Sequence, residues 1–364
     1  MEKIFIVGGG PAGLLLASKL SERGFKVTLF EEHKMIGYPE HCTGIVRTNF
    51  FELLGYKKLN SLILAKYMGG QIIEEPCNKK FELFISQVKA VMIDRPNYEK
   101  TLTEIALSNG AQILLGKRAQ IINHDGKAVV KTGIERFNGD LVIGARGPRA
   151  NPNLKVLHGV QAKIKFERPI EENHVTVVFS HKIPKFFGWI APYEQGNYAK
   201  VGVATLSSSV RQSLLHILSL IKDKYSIQGY FGGPVVVGGI GKNALYANYL
   251  PVGDEAGHVK PLTGGGLDLA AVAALKIVED LKSDNDNFVC YKTWWRSVKR
   301  SLLFSEIVGN IFFGLPFQLR TAWINKLIEK PYVKKVLEMG DFDDHSKVLL
   351  TLFLSQFKFL SFKL

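Results

Sequence analysis

Ile4-Phe5-Ile6-Val7-Gly8-Gly9-Gly10-Pro11-Ala12-Gly13 is the stretch on which the reading of the whole chain turns. Its apolar run, Ile4 to Val7, reads as a short strand, Gly8 to Gly13 as a glycine turn, and a helix opens after it. An amphipathic pattern continues to Arg23, and residues 26–30 read as a second strand. Strand, turn, helix and strand within about 30 residues make a βαβ unit. In the turn, Gly8-x-Gly10-x-x-Gly13 has the spacing of a dinucleotide fingerprint. Gly8 permits the tight bend, Gly10 lets backbone approach a pyrophosphate, and Gly13 lets helix and strand pack closely. Glu31 ends the second strand, 21 positions past Gly10, with a carboxylate able to accept from ribose hydroxyls. The helix N-terminus adds orphan N–H donors and the positive end of its dipole.

Outward from that unit, residues 62–93 alternate apolar and polar and read as strands leaving the first domain. The chain returns at Asp94-Arg95-Pro96, and a helix over 98–108 stops at Asn109-Gly110. Residues 111–115, 119–124, 128–132 and 140–144 are short β runs, and 156–205 is again β in pattern. A helix is expected over 210–222, a Gly-rich strand over 234–240, a loop over 254–261 and an Ala-rich helix over 266–281. Aromatic and basic helices follow residue 287.

The 364 residues are 46% hydrophobic, 22% charged and 11% aromatic, which excludes a disordered chain, a collagen-like repeat and a disulfide-knot scaffold. Lys and Arg number 47 against 33 Asp and Glu, a net charge of +14, so the surface field favours anions. Anionic lipid, a phosphorylated substrate and an acidic protein all suit that sign, as nucleic acid would, although no nucleic-acid partner is expected. Cys42, Cys77 and Cys290 lack the close pairing of a zinc site or a secreted disulfide frame, so no metal and a reducing, cytoplasmic setting are expected. No signal peptide is read at the start. The apolar stretch 307–319 contains Asn310, Gly314 and Pro316 and falls short of the roughly 20 residues a spanning helix needs.

The same fingerprint serves NAD and FAD. Gly253-Asp254, followed by Pro261 and Gly264-Gly265-Gly266 before a long helix, resembles the flavoprotein superfamily built like the aromatic hydroxylases. There such a Gly-Asp binds the ribityl and pyrophosphate region of FAD, and the next helix aims its N-terminus at the flavin pyrimidine. The cofactor expected is therefore FAD, held by Gly8, Gly10, Gly13, Glu31, Arg95, Gly253, Asp254, Gly264, Gly265 and Gly266.

Over residues 1–300 the resemblance narrows to the geranylgeranyl reductase family. Pro184-x-x-Phe187-x-Trp189-x-x-Pro192 resembles its substrate-domain signature, with Phe187 where Tyr is usual and Ala191 where Phe is usual. Tyr38-Pro39-Glu40-His41-Cys42-Thr43-Gly44 resembles its cysteine-bearing loop near the flavin. One departure is Arg146-Gly147, where many superfamily members carry Asp-Gly; the reversed charge argues against a conventional NAD(P)H-using monooxygenase.

The resemblance implies an α/β fold: a Rossmann-type FAD-binding domain (1–61, 92–152 and 241–286), an inserted β-rich substrate domain (62–91 and 153–240) and a helical C-terminal region (287–364). It implies reduction of C=C bonds in a prenyl lipid by hydride from reduced flavin. Cys42 and His41 are the expected catalytic residues, Phe187 and Trp189 the expected wall of the substrate pocket. A thiol at Cys42 either acts on substrate or only packs, and a lone loop histidine is often structural. A hydroxylase of the same fold, and a non-catalytic FAD-bound lipid carrier or electron-transfer subunit, are the alternatives. With no second glycine fingerprint, an acidic ferredoxin or other reductant is the expected electron source. The tail with Phe353, Phe357, Phe359 and Phe362 among lysines is either an interfacial segment resting on anionic membrane or a core helix.

Overall fold

The computed structural model describes residues 3–75, 79–84, 87–240, 247–283 and 287–328. Its opening run forms β1 (Lys3–Val7), α1 (Pro11–Ser21) and β2 (Lys26–Phe30). Ile4 and Ile6 of β1 enter the core that α1 completes, whereas Phe5 and Val7 pack on the opposite side with Phe30 and Val142. Burial on both faces is why the strand is a continuous apolar run. Then come β3 (Ile45–Arg47), α2 (Phe50–Leu53), β4 (Ile63–Tyr67), β5 (Gly69–Glu74), β6 (Lys79–Phe84), β7 (Ala90–Ile93) and α3 (Arg95–Ser108). α3 starts three residues before the expected 98–108. Asp94 is its N-cap, accepting from the Asn97 N–H at 3.2 Å, and Pro96 lies in its first turn, so Asp-Arg-Pro is a helix start.

The remaining elements are β8 (Gln112–Leu114), β9 (Gln120–His124), β10 (Lys127–Thr132), β11 (Glu135–Phe137), β12 (Leu141–Gly144), β13 (Lys155–Phe166), β14 (His174–Phe179), β15 (Gly188–Tyr193), β16 (Tyr198–Thr205), α4 (Val210–Ser219), β17 (Tyr225–Gly238), β18 (Tyr249–Pro251), α5 (Leu267–Lys282), α6 (Val289–Gly314) and α7 (Phe317–Ile328). A five-stranded parallel sheet runs β18-β12-β1-β2-β8. The buried sides of α1, α3 and α5 share one core on one face of it, and the β11-β10-β9 meander covers the other. This is the Rossmann-like half of a mixed α/β fold.

A seven-stranded sheet, β17-β13-β16-β15-β14-β5-β6, forms the second half, and β3-β7-β4 makes a small sheet of three. Ala162, Ile164, Val201 and Val203 turn one face of the large sheet onto Leu214, Ile217 and Leu218 of α4. The opposite face carries Trp189, Gly202, Gln161 and Phe231 in one cross-strand row. β17 is longer than the expected 234–240, because Gly232 and Gly233 do not break it. A Cβ on Gly232 would stand 2.3 Å from the Gly159 carbonyl oxygen, so glycine there lets β17 close on β13.

α6 joins the two halves. The Asp280 carboxylate accepts the Cys290 and Tyr291 N–H groups at 2.9 and 2.8 Å, capping its start, and Glu306 accepts from Lys155 Nζ at 2.8 Å and the Gly239 N–H at 3.0 Å. Cys77 and the aromatic tail with Phe353, Phe357, Phe359 and Phe362 lie outside the described residues.

Candidate active site

The glycine turn leaves β1 and enters α1 with no room to spare except at one position. Gly8 has φ +112°, and a Cβ there would stand 2.1 Å from the Ala145 carbonyl oxygen; one on Gly13 would stand 2.0 Å from the Gly8 oxygen. Gly10, the N-cap of α1, faces open space, with nothing within 4 Å of where its Cβ would be. No side chain caps α1, so its first N–H groups are free of any cap bond. Glu31 is buried at the end of β2. Its carboxylate accepts the Gly9 N–H at 2.6 Å and the His33 N–H at 2.8 Å, with His33 Nδ1 at 2.5 Å. Those bonds fix Glu31 against the turn.

Gly253–Ala256 is a tight helical turn that overlaps the start of the expected 254–261 loop, entered with φ +62° at Gly253. Burial holds the Asp254 carboxyl above its ordinary range, a rise that the Arg95 guanidinium offsets only in part. Arg95 projects from the first turn of α3; burial alone would lower it, but Glu99 and then the Cys42 sulfur hold it above its ordinary value. Its Nε donates to Glu99 Oε1 at 2.9 Å. Gly264 and Gly266 keep the approach to α5 narrow: a Cβ on Gly264 would meet Val235 at 2.5 Å, and one on Gly266 would meet Asp254 Oδ1 at 3.0 Å. Gly265 pairs in an isolated bridge with Lys260.

Two partners brace that turn. His258 is fully buried; its Nδ1 accepts the Gly253 N–H at 3.1 Å, so Nε2 carries the proton and donates to Tyr291 Oη at 3.1 Å. Burial pushes its pKa down to about 3. Arg146, the residue that departs from the superfamily pattern, lies with its Nη2 2.5 Å from Glu255 Oε1 and 3.2 Å from Tyr249 Oη, and its backbone N–H donates to Glu255 Oε2 at 2.8 Å. Arg146 therefore ties the end of β12 to the Gly253–Ala256 turn.

The Cys42 loop is held to both halves of the molecule. Cys42 Sγ accepts the Gly44 N–H at 3.4 Å and lies against Arg95. His41 donates from Nδ1 to the Gly232 carbonyl at 2.8 Å. Two buried side chains of the large sheet clamp the loop. Gln161 Oε1 accepts from Thr43 Oγ1 at 2.8 Å and from Trp189 Nε1 at 3.1 Å, while its Nε2 donates to the His41 carbonyl at 3.4 Å. Lys200 pairs with Glu40 and donates to the Thr43 carbonyl at 3.2 Å. The Trp189 ring crosses Gly202, where a Cβ would come within 2.4 Å of it.

Beyond Trp189 the wall is aromatic. Phe187 stands 6.2 Å from Trp189 edge to face and stacks on Phe186 at 4.2 Å; Phe313 of α6 lies 5.4 Å from Phe186. A cavity of about 220 Å³ is lined by Leu157, Phe186, Val237 and Phe313 and rimmed by Lys185 and Asn310; the expected wall residues Phe187 and Trp189 are not in its lining and reach it only through the stack of Phe187 on Phe186. Glycine turn, Asp254, Arg95, Cys42 and Trp189 thus follow one another from the parallel sheet to the aromatic wall.

These residues fit FAD. Gly10 leaves space where backbone must meet phosphate, the uncapped end of α1 supplies donors, and Asp254 is a buried carboxylate beside Arg95. A parallel Rossmann-like sheet with this cradle and a second, antiparallel-rich sheet above it defines a flavoprotein of the two-layered, FAD-dependent kind. The chain belongs to the FAD binding domain family, whose sequence profile matches residues 1–212, and its cofactor is FAD. It is 26% identical over 337 residues to a digeranylgeranylglycerophospholipid reductase of Methanococcus aeolicus, covering 84% of each chain. It is 27% identical over 295 residues to digeranylgeranylglycerophospholipid reductase 1 of Methanopyrus kandleri, covering 74% of this chain and 77% of the relative. Among solved structures, a geranylgeranyl bacteriochlorophyll reductase-like protein of Thermoplasma acidophilum superposes with a TM-score of 0.79 at 18% identity, over 97% of this chain and 100% of that one. A flavin-dependent brominase shares the fold at TM-score 0.65 and 14% identity, over 98% of each chain. The family resemblance seen in the sequence fits these relatives.

Gln161, Lys200, Glu255 and His258 were not legible as site residues. Lys200 is a lone charge in the apolar run Tyr198 to Thr205, a signal that a buried partner exists, but which partner depends on strand register.

Proposed function

We propose that the chain is an FAD-dependent reductase that saturates C=C bonds of a prenyl lipid of geranylgeranyl type. The observation that carries this reading is the run of aromatic rings from Trp189, which shares Gln161 with the Cys42 loop, through Phe187 to Phe186 and Phe313, the last two lining the cavity; such a surface suits an apolar chain with few polar groups. The names of the reductase relatives support it.

In this reading Gly8, Gly10, Gly13, Glu31, Arg95, Gly253, Asp254, Gly264, Gly265 and Gly266 hold the cofactor. When bound and reduced, FAD supplies a hydride equivalent to one alkene carbon. The chain's own residues deliver the rest. Phe187 and Trp189 align the alkene and exclude water. Cys42 donates its thiol proton to the second alkene carbon, and His41, the next residue of the loop, relays a proton back to the resulting thiolate while its Nδ1 stays on the Gly232 carbonyl. Gln161 and Lys200 hold the thiol in register with the wall. The FAD-binding unit (1–61, 92–152 and 241–286), substrate unit (62–91 and 153–240) and helical region (287–364) divide these tasks. With no second glycine fingerprint in the sequence, electrons come from an acidic ferredoxin or similar small reductant attracted by the +14 charge. The protein works at the inner face of a membrane, in peripheral contact with anionic lipid.

Anaerobic single-turnover incubation of dithionite-reduced protein with a geranylgeranyl lipid tests this. A product about two mass units heavier per cycle is expected. A product about sixteen units heavier, formed only in air, would make the chain a hydroxylase, and no product under either condition would make it a carrier.

A further inference from the structure

We propose that the corner between α6 and α7 is a membrane-docking surface that enters an anionic bilayer obliquely and opens the aromatic cavity to it. As to what enters the cavity, this rests on the prenyl-lipid reading; the surface stands on its own observations.

At 100° per residue, Lys292, Arg296, Lys299, Arg300, Leu303, Ile307, Asn310, Ile311 and Gly314 fall within one third of the circumference of α6. That face is turned outward: Lys292, Arg296 and Arg300 are exposed, and Leu303, Ile307 and Ile311 are 37%, 58% and 54% exposed. The opposite face, with Tyr291, Leu302, Ser305, Val308 and Gly309, is buried. The outward face changes character along the helix axis. Its first half is cationic, and its second half is uncharged from Leu303 to Gly314, a run of about 17 Å. Glu306, the acid within this span, is turned inward onto Lys155 and the Gly239 N–H.

The apolar end meets a bend. α6 and α7 turn through 120° at Leu315-Pro316, and Leu319 on α7 is 57% exposed. Arg320 is buried against Phe179, Phe312 and Phe317, so its charge is withdrawn from that end. Among the described residues no single helix is long and apolar enough to cross a membrane. A helix lying flat at an interface keeps its charges on the side away from the lipid. Here cations and apolar residues share one line, so headgroup phosphates meet Lys292 to Arg300 only if the far end goes deeper.

The cavity lies at that end. Asn310 and Gly314 belong both to its lining and to the outward face, and Leu206, 48% exposed, and Lys185 complete its rim. A second copy of the chain is a poor occupant. Pairing two copies with the helices parallel would set their four cations against each other, and pairing them antiparallel would lay those cations on the uncharged half of the partner, in both cases between chains of charge +14. An anionic bilayer offers hydrocarbon to the corner and phosphate to the cations at once.

Flotation of the full-length, FAD-loaded protein with vesicles of phosphatidylcholine, with and without about one third phosphatidylglycerol, tests the surface. The protein should float with the anionic vesicles and lose most of that binding at about 0.5 M salt. Ile307→Glu with Ile311→Glu should cut the floated fraction by about tenfold while folding and FAD content stay unchanged. Arg296→Glu with Arg300→Glu should abolish the preference for anionic vesicles. Ile134→Glu, at an exposed apolar residue of the β10–β11 turn, should float as the parent does. Equal flotation of the Ile307→Glu, Ile311→Glu variant and the parent would overturn the proposal. So would a parent that does not float but elutes as a dimer which that variant dissociates. The same variant should still saturate lipid dispersed in detergent; a parent that saturates none in detergent sinks the reductase reading and leaves the flotation result intact.

Discussion

Gly10 and Cys42 mark the two ends of the site, and they separate cofactor binding from chemistry. Gly10→Val puts a branched side chain into the open space before α1, so the purified variant should retain less than about a tenth of the parent's FAD, read from visible absorbance and heat-released flavin. Cys42→Ala leaves that cradle untouched. It should keep stoichiometric FAD and slow reoxidation of the reduced protein by a prenyl substrate about a hundredfold in stopped flow; parental rates would reduce the thiol to packing. The glycines and Glu31 were legible because a phosphate cradle requires fixed spacing along the chain. Gln161 was not, because its importance arises from register: β13 sets it opposite Gly202, across which the Trp189 ring lies, and its amide reaches a loop about 120 residues earlier.

At the scale of elements, the strands and helices of the parallel sheet follow from apolar runs and caps, and the sequence reading erred where local signals competed with tertiary packing. Gly232 and Gly233 look like breakers of β17, yet they are what lets β17 lie on β13. Gly232→Val should therefore destabilise the fold by about 1–3 kcal/mol in denaturant unfolding, through overpacking against the Gly159 carbonyl. The turn before α5 makes a pH prediction. His258 is neutral and buried, with its pKa near 3 against an ordinary value near 6.5, so the unfolded chain binds the extra proton between those values. The stability it lends is complete above about pH 6.5 and is lost progressively as pH falls toward 3, at up to about 1.4 kcal/mol per pH unit. His258→Asn should flatten the pH dependence of unfolding by one proton between pH 6 and 5. An unchanged slope would mean that His258 is charged in the folded state.

For the whole molecule, the +14 charge predicts that electron transfer from an acidic protein donor slows by about tenfold or more between 0.05 and 0.5 M salt, whereas an uncharged artificial donor shows little change. Equal salt dependence for both donors would exclude electrostatic docking. The α/β architecture was legible from the glycine turn and the alternation of patterns, and 62–91 was expected to share a β-rich domain with 153–240, but the pairing of β5 with β14 within one seven-stranded sheet was not legible. Strand pairing across more than a hundred residues leaves no local trace. That pairing has a consequence for how the protein is made. Gly69 of β5 aligns with His174 of β14, and 174 − 69 is 105 residues. On a ribosome adding about 5–20 residues per second, the β5–β6 hairpin waits roughly 5–20 s for the strand that completes its sheet. Through that interval its inner edge is an unpaired ladder of backbone N–H and C=O groups. Synthesis is thus the moment of greatest exposure to aggregation, and a nascent-chain chaperone that shields residues 69–84 protects this fold more than one acting after release.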